Sequence, residues 1–277
     1  MIRPEDVTII IPHLGGTQES EYSLSKCFKS LVQTTSGIKI IVAYNNFQGW
    51  DGPVPENSIF IQEQGQCKAV NAAVATTNTP WVFVTNDDMV YPPGWFEKLV
   101  APMTDGDHLL HLYVSPMLIE PRPGAPTFQT YFCGGAGGDF DKQKFLDFAA
   151  SYKGQGMRTG FNLPFLIHRE LWDTIGGYNI AYDPWGSNSD SDLEYKIKLA
   201  GVQPMQNTNS IVYHFSQTSG TFEPKNNEYY QKNFAYFEEI WGFPRTDDGI
   251  WEATFSIPTK EEGRIFNPSW EGAYGKI

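Results

Sequence analysis

The sequence has few charged residues, few cysteines and no long apolar run. Charged side chains form 19% of the 277 residues, and acids outnumber bases so that the formal net charge is −12. Proteins that bind duplex DNA usually carry a basic face, and lysine and arginine form no cluster here, so the charge argues against nucleic acid as a partner. No apolar stretch approaches the ~18 residues of a transmembrane helix, so we expect no membrane-spanning segment.

Cysteine usage points to a reducing compartment. The three cysteines, Cys27, Cys67 and Cys133, are far apart and odd in number. This pattern is typical of buried thiols in a cytosolic protein, and no secretory signal precedes the first predicted strand. We therefore expect a cytoplasmic protein. Peripheral association with a membrane, or the cytoplasm of a host cell if the source is viral, stays open.

The composition is that of a globular protein with one large α/β domain or two small ones. Apolar β-branched runs, predicted to be buried strands, alternate with amphipathic stretches, predicted to be helices. The runs are Val7–Pro12, Ile38–Ala43 and Trp81–Thr85, and the predicted helices between them cover 24–32 and 66–76. This alternation predicts a doubly wound, mostly parallel sheet flanked by helices.

The rest of the chain is less regular. Residues 102–160 are interrupted by proline and glycine, and we predict an irregular, variable loop region. A strand over 161–167, a helix over 192–200 and a strand over 210–214 are predicted to complete a domain of residues 1–216. Residues 217–277 are predicted to be a C-terminal extension, with one amphipathic helix and an irregular end, packed on the same domain.

Clustered carboxylates follow the third predicted strand. Asn86, Asp87 and Asp88 come directly after the apolar run that begins at Trp81. Open α/β sheets bind ligands at the carboxyl ends of their strands. Oxygen ligands suit Mg²⁺ or Mn²⁺ held together with a phosphate. Taken alone, the same residues are equally typical of a solvated turn with an aspartate cap.

Two further positions carry chemistry that a metal–phosphate site can use. Asp190 and Asp192 lie at a predicted helix N-terminus, whose dipole favours the ionised form, so a carboxylate there can act as a general base. His214 ends a predicted strand, and histidine is a common metal ligand. Each feature alone also fits a structural role, as a helix cap or as an ordinary core or surface histidine.

Six segments in this order resemble the family 2-type glycosyltransferases of the GT-A fold. They include an opening strand that ends in proline, a helix that begins after glycine, a DxD-like region, a Gly-Gly-aromatic turn, an acidic helix start and a strand that ends in histidine. In this sequence they are Thr8–Pro12, Gly65–Asn71, Val84–Trp95, Gly176–Tyr178, Ser189–Gly201 and Val212–His214.

The resemblance implies an inverting glycosyltransferase of the hexosyltransferase type. It implies a nucleoside-diphosphate sugar as donor and a divalent metal, Mn²⁺ or Mg²⁺, held by Asp88 and His214. Asp190 matches the catalytic aspartate. The donor would be bound by positions in the matching segments, which are Pro12, Asn45, Asn46, Gly65, Lys68, Asn71, Asn86 and Asp87. For the acceptor we expect stacking on Tyr182 and Trp185 and hydroxyl contacts from Asp192, with the variable region 102–160 on the acceptor side.

Three positions depart from the family pattern. Tyr44 or Asn45 stands where an acid usually reads uracil, Ser189 replaces the first acid of the usual pair, and Lys196 replaces an arginine. The departures put the identity of the nucleobase in doubt more than the reaction class. They also keep a non-catalytic sugar-binding module as an alternative.

The acceptor is open at this point. A glycan, a lipid-linked glycan, a protein or a modified nucleobase in DNA would each supply a hydroxyl, although the net charge weighs against DNA. A sugar-1-phosphate nucleotidyltransferase is a second alternative. It would need a basic, glycine-rich loop after the first strand, and residues 13–17 contain glycine but no lysine or arginine.

Overall fold

The computed structural model of the chain describes residues 2–45, 55–103, 112–123, 128–216 and 224–242. Within these ranges ten strands form one sheet. The strands are β1 Val7–His13, β2 Lys39–Asn45, β3 Ile59–Ile61, β4 Trp81–Val84, β5 Met89–Val90, β6 Tyr113–Glu120, β7 Phe128–Thr130, β8 Met157–Thr159, β9 Phe165–His168 and β10 Met205–His214.

Helices cover both faces of this sheet. They are α1 Gln18–Thr34, α2 Gln66–Ala75, α3 Trp95–Val100, α4 Lys142–Ser151, α5 Arg169–Ile175, α6 Ser189–Leu199 and α7 Asn227–Trp241, with short 3₁₀ turns at Pro4–Asp6, Ile180–Tyr182 and Pro224–Asn226. The predicted α/β class, with a central sheet between helices, is confirmed.

The strand order is β3-β2-β1-β4-β9-β6-β10-β5, with β7 beside β6 and β8 beside β10. Among the described strands, five of the nine pairs are parallel, so the sheet is mostly parallel as expected. β9 runs antiparallel to both β4 and β6, and these two strands therefore point the same way. The carboxyl ends of β1, β2, β4, β6 and β10 consequently lie at one edge of the sheet.

The first strand shows how the sequence builds two cores. Ile9 and Ile11 pack into one apolar cluster with α1 and α3, and Ile10 packs into a second cluster with α2, α5 and α6. Alternate side chains of a strand point to opposite faces, so a continuous β-branched run suits a strand that is covered on both sides. The three cysteines are free and buried, as predicted.

The middle region, predicted to be irregular, contains regular elements. β6 is a central, fully buried strand, and α4 is a regular helix in the same region. Pro116 makes this strand difficult to predict from the sequence, because proline cannot donate a ladder hydrogen bond and therefore argues against a central strand. The neighbouring strand bulges between Asn207 and Ile211, and the side chain of Gln206 donates to the carbonyl of Pro116 at 3.1 Å.

The C-terminal region contains the expected amphipathic helix. The expected amphipathic helix is α7, which buries Phe237, Ile240 and Trp241 in the core cluster that also contains α2 and α6. Residues 217–223 and 243–277 lie outside the described ranges, and the proposed domain division stays a prediction. No helix in the described part of the chain is long and apolar enough to cross a membrane.

Candidate active site at the carboxyl edge of the sheet

Asp88 is brought to His214 by the shortest strand. β5 begins directly after Asp88 and pairs antiparallel with the end of β10, placing Met89 opposite His214. The Asp88 Oδ2 to His214 Nε2 distance is 3.3 Å. The sequence predicted both residues as metal ligands, and the structure places them together.

Glu120 completes this cluster from the other side. It ends β6, which runs parallel to β10, and its Oε1 lies 2.7 Å from His214 Nδ1. All three side chains are largely buried, with 6%, 16% and 8% exposed for Asp88, His214 and Glu120. Burial lowers the pKa of His214, but the two carboxylates outweigh it and raise the pKa to about 10.

The pair of Asp88 and His214 fits a divalent metal. Two ligands bound ~2.1 Å from one ion at a right angle lie ~3 Å apart, close to the observed spacing of 3.3 Å. A carboxylate behind the second ring nitrogen, here Glu120, is the usual support of a metal-bound histidine. No group of three or more His, Cys, Asp and Glu side chains among the described residues forms a complete metal site. Two protein ligands are typical where a diphosphate supplies the others.

Asp87 belongs to a second histidine cluster. His13 ends β1 and is fully buried, and its Nδ1 lies 2.5 Å from Asp87 Oδ2 while its Nε2 lies 3.2 Å from Glu21 Oε1. Burial lowers the pKa of His13, but the two carboxylates raise it above its ordinary value. The predicted ribose contact of Asp87 stays a prediction, and one of its oxygens is held by His13.

Asn86, the first residue of the acidic cluster, is held by hydrogen bonds to its backbone carbonyl. The carbonyl of Asn86 accepts from the Thr85 hydroxyl at 3.1 Å and from the Cys27 thiol at 3.5 Å. Its side chain is half-buried. Burial and the negative charges of Asp87 and Asp88 raise the pKa of the Cys27 thiol, so this thiol stays protonated and acts as a donor.

The N-terminus of α2 meets Asp183 from a distant segment. The carboxylate of Asp183 accepts from the backbone N–H groups of Cys67 at 2.9 Å and Lys68 at 3.0 Å. A Cβ on Gly65 would lie 2.5 Å from an Asp183 oxygen, so a larger residue here would displace the carboxylate. This capping brings the chain around residue 183 to the same edge of the sheet as Asp88.

Three predicted donor residues have protein partners near this helix. Asn45 ends β2 and accepts from the Gly65 N–H through Oδ1 at 3.4 Å. The ammonium of Lys68 pairs with Glu63. Asn71 binds the backbone of Tyr178 with both ends of its amide.

Two further predicted donor residues lie elsewhere. Pro12 is buried in β1, and Asn46 lies outside the described residues. Donor binding by these positions stays a prediction.

Asp190, the predicted base, sits in the first turn of α6, whose start lies beside the N-terminus of α2, since a Cβ at Gly186 would lie 3.3 Å from Gln66 Oε1. Its Oδ1 accepts from the phenol of Tyr178 at 3.0 Å, and its side chain is half-buried. Ser189, which replaces the usual first acid, is buried and donates through Oγ to the carbonyl of Gly186 at 2.5 Å. Ser189 therefore shapes the helix start and adds no charge to it.

The structure corrects two acceptor predictions. Asp192 is 1% exposed, and its carboxylate is taken by Trp241 Nε1 at 3.1 Å and Lys196 Nζ at 3.2 Å. Tyr182 is 0% exposed. Both side chains are therefore closed to solvent in the described structure. Trp185 is half-buried, and its predicted acceptor contact stays a prediction.

Sequence reasoning missed five side chains of this edge. Glu120, His13, Tyr178 and Asp183 contact predicted site residues or their supporting helix, and Glu21 contacts His13. One of these residues, His13, could have been predicted from the sequence. His13 ends the first strand, at the same edge as the acidic cluster after β4, because β1 and β4 are parallel.

Known proteins share this architecture. A mannosyltransferase from Pyrobaculum calidifontis, solved in complex with GDP-Man and Mn²⁺, superposes with a TM-score of 0.55 and 14% identity, over 99% of this chain and 72% of that one. GalNAc-T7, solved with UDP, GalNAc and Mn²⁺, gives a TM-score of 0.56 and 16% identity, over 96% of this chain. The chain has the GT-A fold.

A family model agrees with the fold. Residues 59–146 match glycosyl transferase family 2, a range that includes α2, β4 and Asp88. This confirms the resemblance seen in the sequence, and together the family match and the fold support a transferase. The chain spans about half the length of the GalNAc-T7 chain, 55%. No curated protein matches the chain significantly.

Proposed function

We propose that this GT-A chain is a metal-dependent, inverting glycosyltransferase of the hexosyltransferase type. It moves a sugar from a nucleoside-diphosphate sugar to an acceptor hydroxyl. One observation carries the proposal. The Asp88–His214 pair has the spacing of two ligands of one ion at the carboxyl edge of the sheet, and the start of α6, which carries Asp190, lies beside the N-terminus of α2 at that edge. The Mn²⁺ and nucleotide in both structural neighbours support the same reading.

Asp88 and His214 would hold the divalent ion, Mn²⁺ or Mg²⁺. When bound, the ion supplies positive charge that stabilises the leaving nucleoside diphosphate. Glu120 orients His214 through Nδ1, so that Nε2 faces Asp88. Asn86 and Asp87 follow the same strand end and are proposed to contact the donor, together with Pro12, Asn45, Asn46, Gly65 and Lys68.

Asp190 is the proposed general base. It accepts the proton of the acceptor hydroxyl while the acceptor oxygen forms a bond to the anomeric carbon. The bond from that carbon to the diphosphate oxygen breaks, and the electron pair leaves with the nucleoside diphosphate. Because one displacement occurs from the opposite face, the configuration inverts. The transition state is expected to resemble an oxocarbenium ion, as in glycoside hydrolysis.

The acceptor is proposed to be a glycan, a lipid-linked glycan or a protein hydroxyl, with Trp185 as a contact. The net charge of −12 makes a modified base in DNA the weakest of the acceptor classes. A cytoplasmic location is part of the same proposal.

A donor screen tests the function directly. Purified protein is incubated with individual nucleotide sugars and Mn²⁺ or Mg²⁺, and released nucleoside diphosphate is measured with and without acceptor pools. We expect release with one donor class, dependent on the metal. Calorimetric binding of a donor that is never turned over by the wild-type protein would contradict the transferase and favour a binding module.

The Asp190→Asn variant tests the base. Transfer should fall to background while calorimetric affinity for the nucleotide donor survives, because the amide cannot accept the proton. Asp147→Asn is the matched control, since Asp147 is an exposed acid on α4, hydrogen-bonded only to Gln143 within the described residues. Wild-type turnover in Asp190→Asn would sink the assignment of the base.

A further inference from the structure

The buried phenol of Tyr178 contacts Asp190, the proposed base, but takes no part in the proposed reaction. Tyr178 is 1% exposed and donates its hydroxyl to Asp190 Oδ1 at 3.0 Å. Burial, together with the negative charge of Asp190, raises the pKa of Tyr178 well above its ordinary value. The phenol therefore keeps its proton at neutral pH and acts as a hydrogen-bond donor.

The backbone of Tyr178 is fixed by α2. The Asn71 amide donates to the Tyr178 carbonyl at 2.8 Å and accepts from the Tyr178 N–H at 3.0 Å. Trp172 packs edge-on against the phenol ring, with 5.8 Å between the ring centroids. The backbone contacts and the packing of Trp172 together restrict the position of the phenol hydroxyl.

The residue before Tyr178 is fixed by α6. Gly177 has a positive φ of 62°, and a Cβ there would lie 2.7 Å from Asn71 Oδ1, so the turn requires glycine. Its carbonyl accepts from the buried ammonium of Lys196 at 2.5 Å. Lys196 also pairs with Asp192 in the same helix that carries Asp190. The turn and the helix of the proposed base are thus joined at two points.

We propose that Tyr178 is a positioning residue for Asp190, whose phenol holds the carboxylate in the one orientation that meets the acceptor hydroxyl. The inference rests on the proposed function, because it assumes that Asp190 is the base. The phenol keeps its own proton throughout, and the acceptor proton passes to Asp190 alone.

A fixed carboxylate is what a general base needs. Its rate depends on being held within a narrow range of distance and angle from the proton that it takes. A base supported on a rigid frame contributes to the chemical step and makes no contact with the donor. The loss of Tyr178 should therefore change kcat and leave donor binding unchanged.

Tyr178→Phe tests this with the ring and its packing preserved. We expect kcat to fall about tenfold to a hundredfold, the range that a hydrogen bond to a charged group spans, with donor KM unchanged within about twofold. Tyr236→Phe is the matched control. The Tyr236 hydroxyl accepts a hydrogen bond from Asn179, the residue after Tyr178, at 3.3 Å. The kcat of the Tyr236→Phe variant should stay at the wild-type value.

A stability cycle shows whether the effect passes through Asp190. Tyr178→Phe should lower the urea midpoint in the wild-type background and have no further effect in the Asp190→Ala background. Unchanged kcat in an active enzyme would overturn the role of Tyr178, as would a fall in kcat without coupling to Asp190→Ala. A wild-type protein that transfers no sugar would instead remove the proposed function, and this role with it.

Discussion

Two buried histidines flank the acidic cluster, and they differ in how they meet it. His13 lies 2.5 Å from Asp87, and His214 lies 3.3 Å from Asp88. Each imidazole has a second carboxylate behind it, Glu21 for His13 and Glu120 for His214. Two adjacent aspartates are therefore drawn to opposite sides of the strand end, one to β1 and the other to β10.

Both contacts are ion pairs of a histidine and an aspartate, and they differ in length. At 2.5 Å the His13–Asp87 contact is a tight, charge-assisted hydrogen bond, and His13 is wholly buried. The His214–Asp88 contact is longer, and its spacing matches two ligands of one ion. We infer that the first cluster anchors α1 to the sheet edge and the second binds the metal.

The largest expected effect separates the two aspartates. Asp88→Ala should abolish metal-dependent binding of GDP and UDP in calorimetry with Mn²⁺, because a first ligand of the ion is lost. Asp87→Ala should weaken nucleotide binding through the loss of its proposed donor contact but keep the metal dependence of the binding that remains. If Asp87→Ala abolishes the metal dependence and Asp88→Ala keeps it, the roles of the two aspartates are reversed.

The anchoring role of His13 predicts a loss of stability. His13→Ala leaves two carboxylates, Asp87 and Glu21, close together without the imidazole between them. Breaking a buried ion pair on one side costs about 3 kcal/mol in the free energy of unfolding. Urea unfolding measures this loss of stability. Glu21→Gln removes only the longer contact of a quarter-exposed carboxylate and should cost less than ~1 kcal/mol. Equal losses in the two variants would contradict the anchor.

Much of this edge was readable from the sequence. The apolar runs that become β1, β2 and β4 are unambiguous, because buried parallel strands are continuous and β-branched. Parallel strands end at one edge, so the position of Asp88 followed from the strand that precedes it. His214 followed in the same way from the end of β10.

The missed contacts trace to particular residues. Glu120 and His214 are separated by 94 positions and meet through the pairing of β6 with β10. Because Pro116 obscured β6, its terminal carboxylate had no predicted place. The Asp192 error came from the start of α6. The helix begins at Ser189 and not at Asp192, and each residue turns about 100° around the axis, which places Asp192 on the buried face beside Lys196.

The smallest expected effect compares the two outer carboxylates. Glu120→Gln should weaken Mn²⁺ binding about tenfold in the presence of GDP or UDP, because Glu120 orients His214 and does not itself bind the ion. Electron paramagnetic resonance of free Mn²⁺ measures this affinity. Glu21→Gln is the matched control, since Glu21 occupies the same place behind His13. Equal Mn²⁺ affinities in the two variants would show that the two histidine clusters do not divide their roles as inferred. A selective loss in Glu120→Gln would place the ion on the β10 side of the acidic cluster.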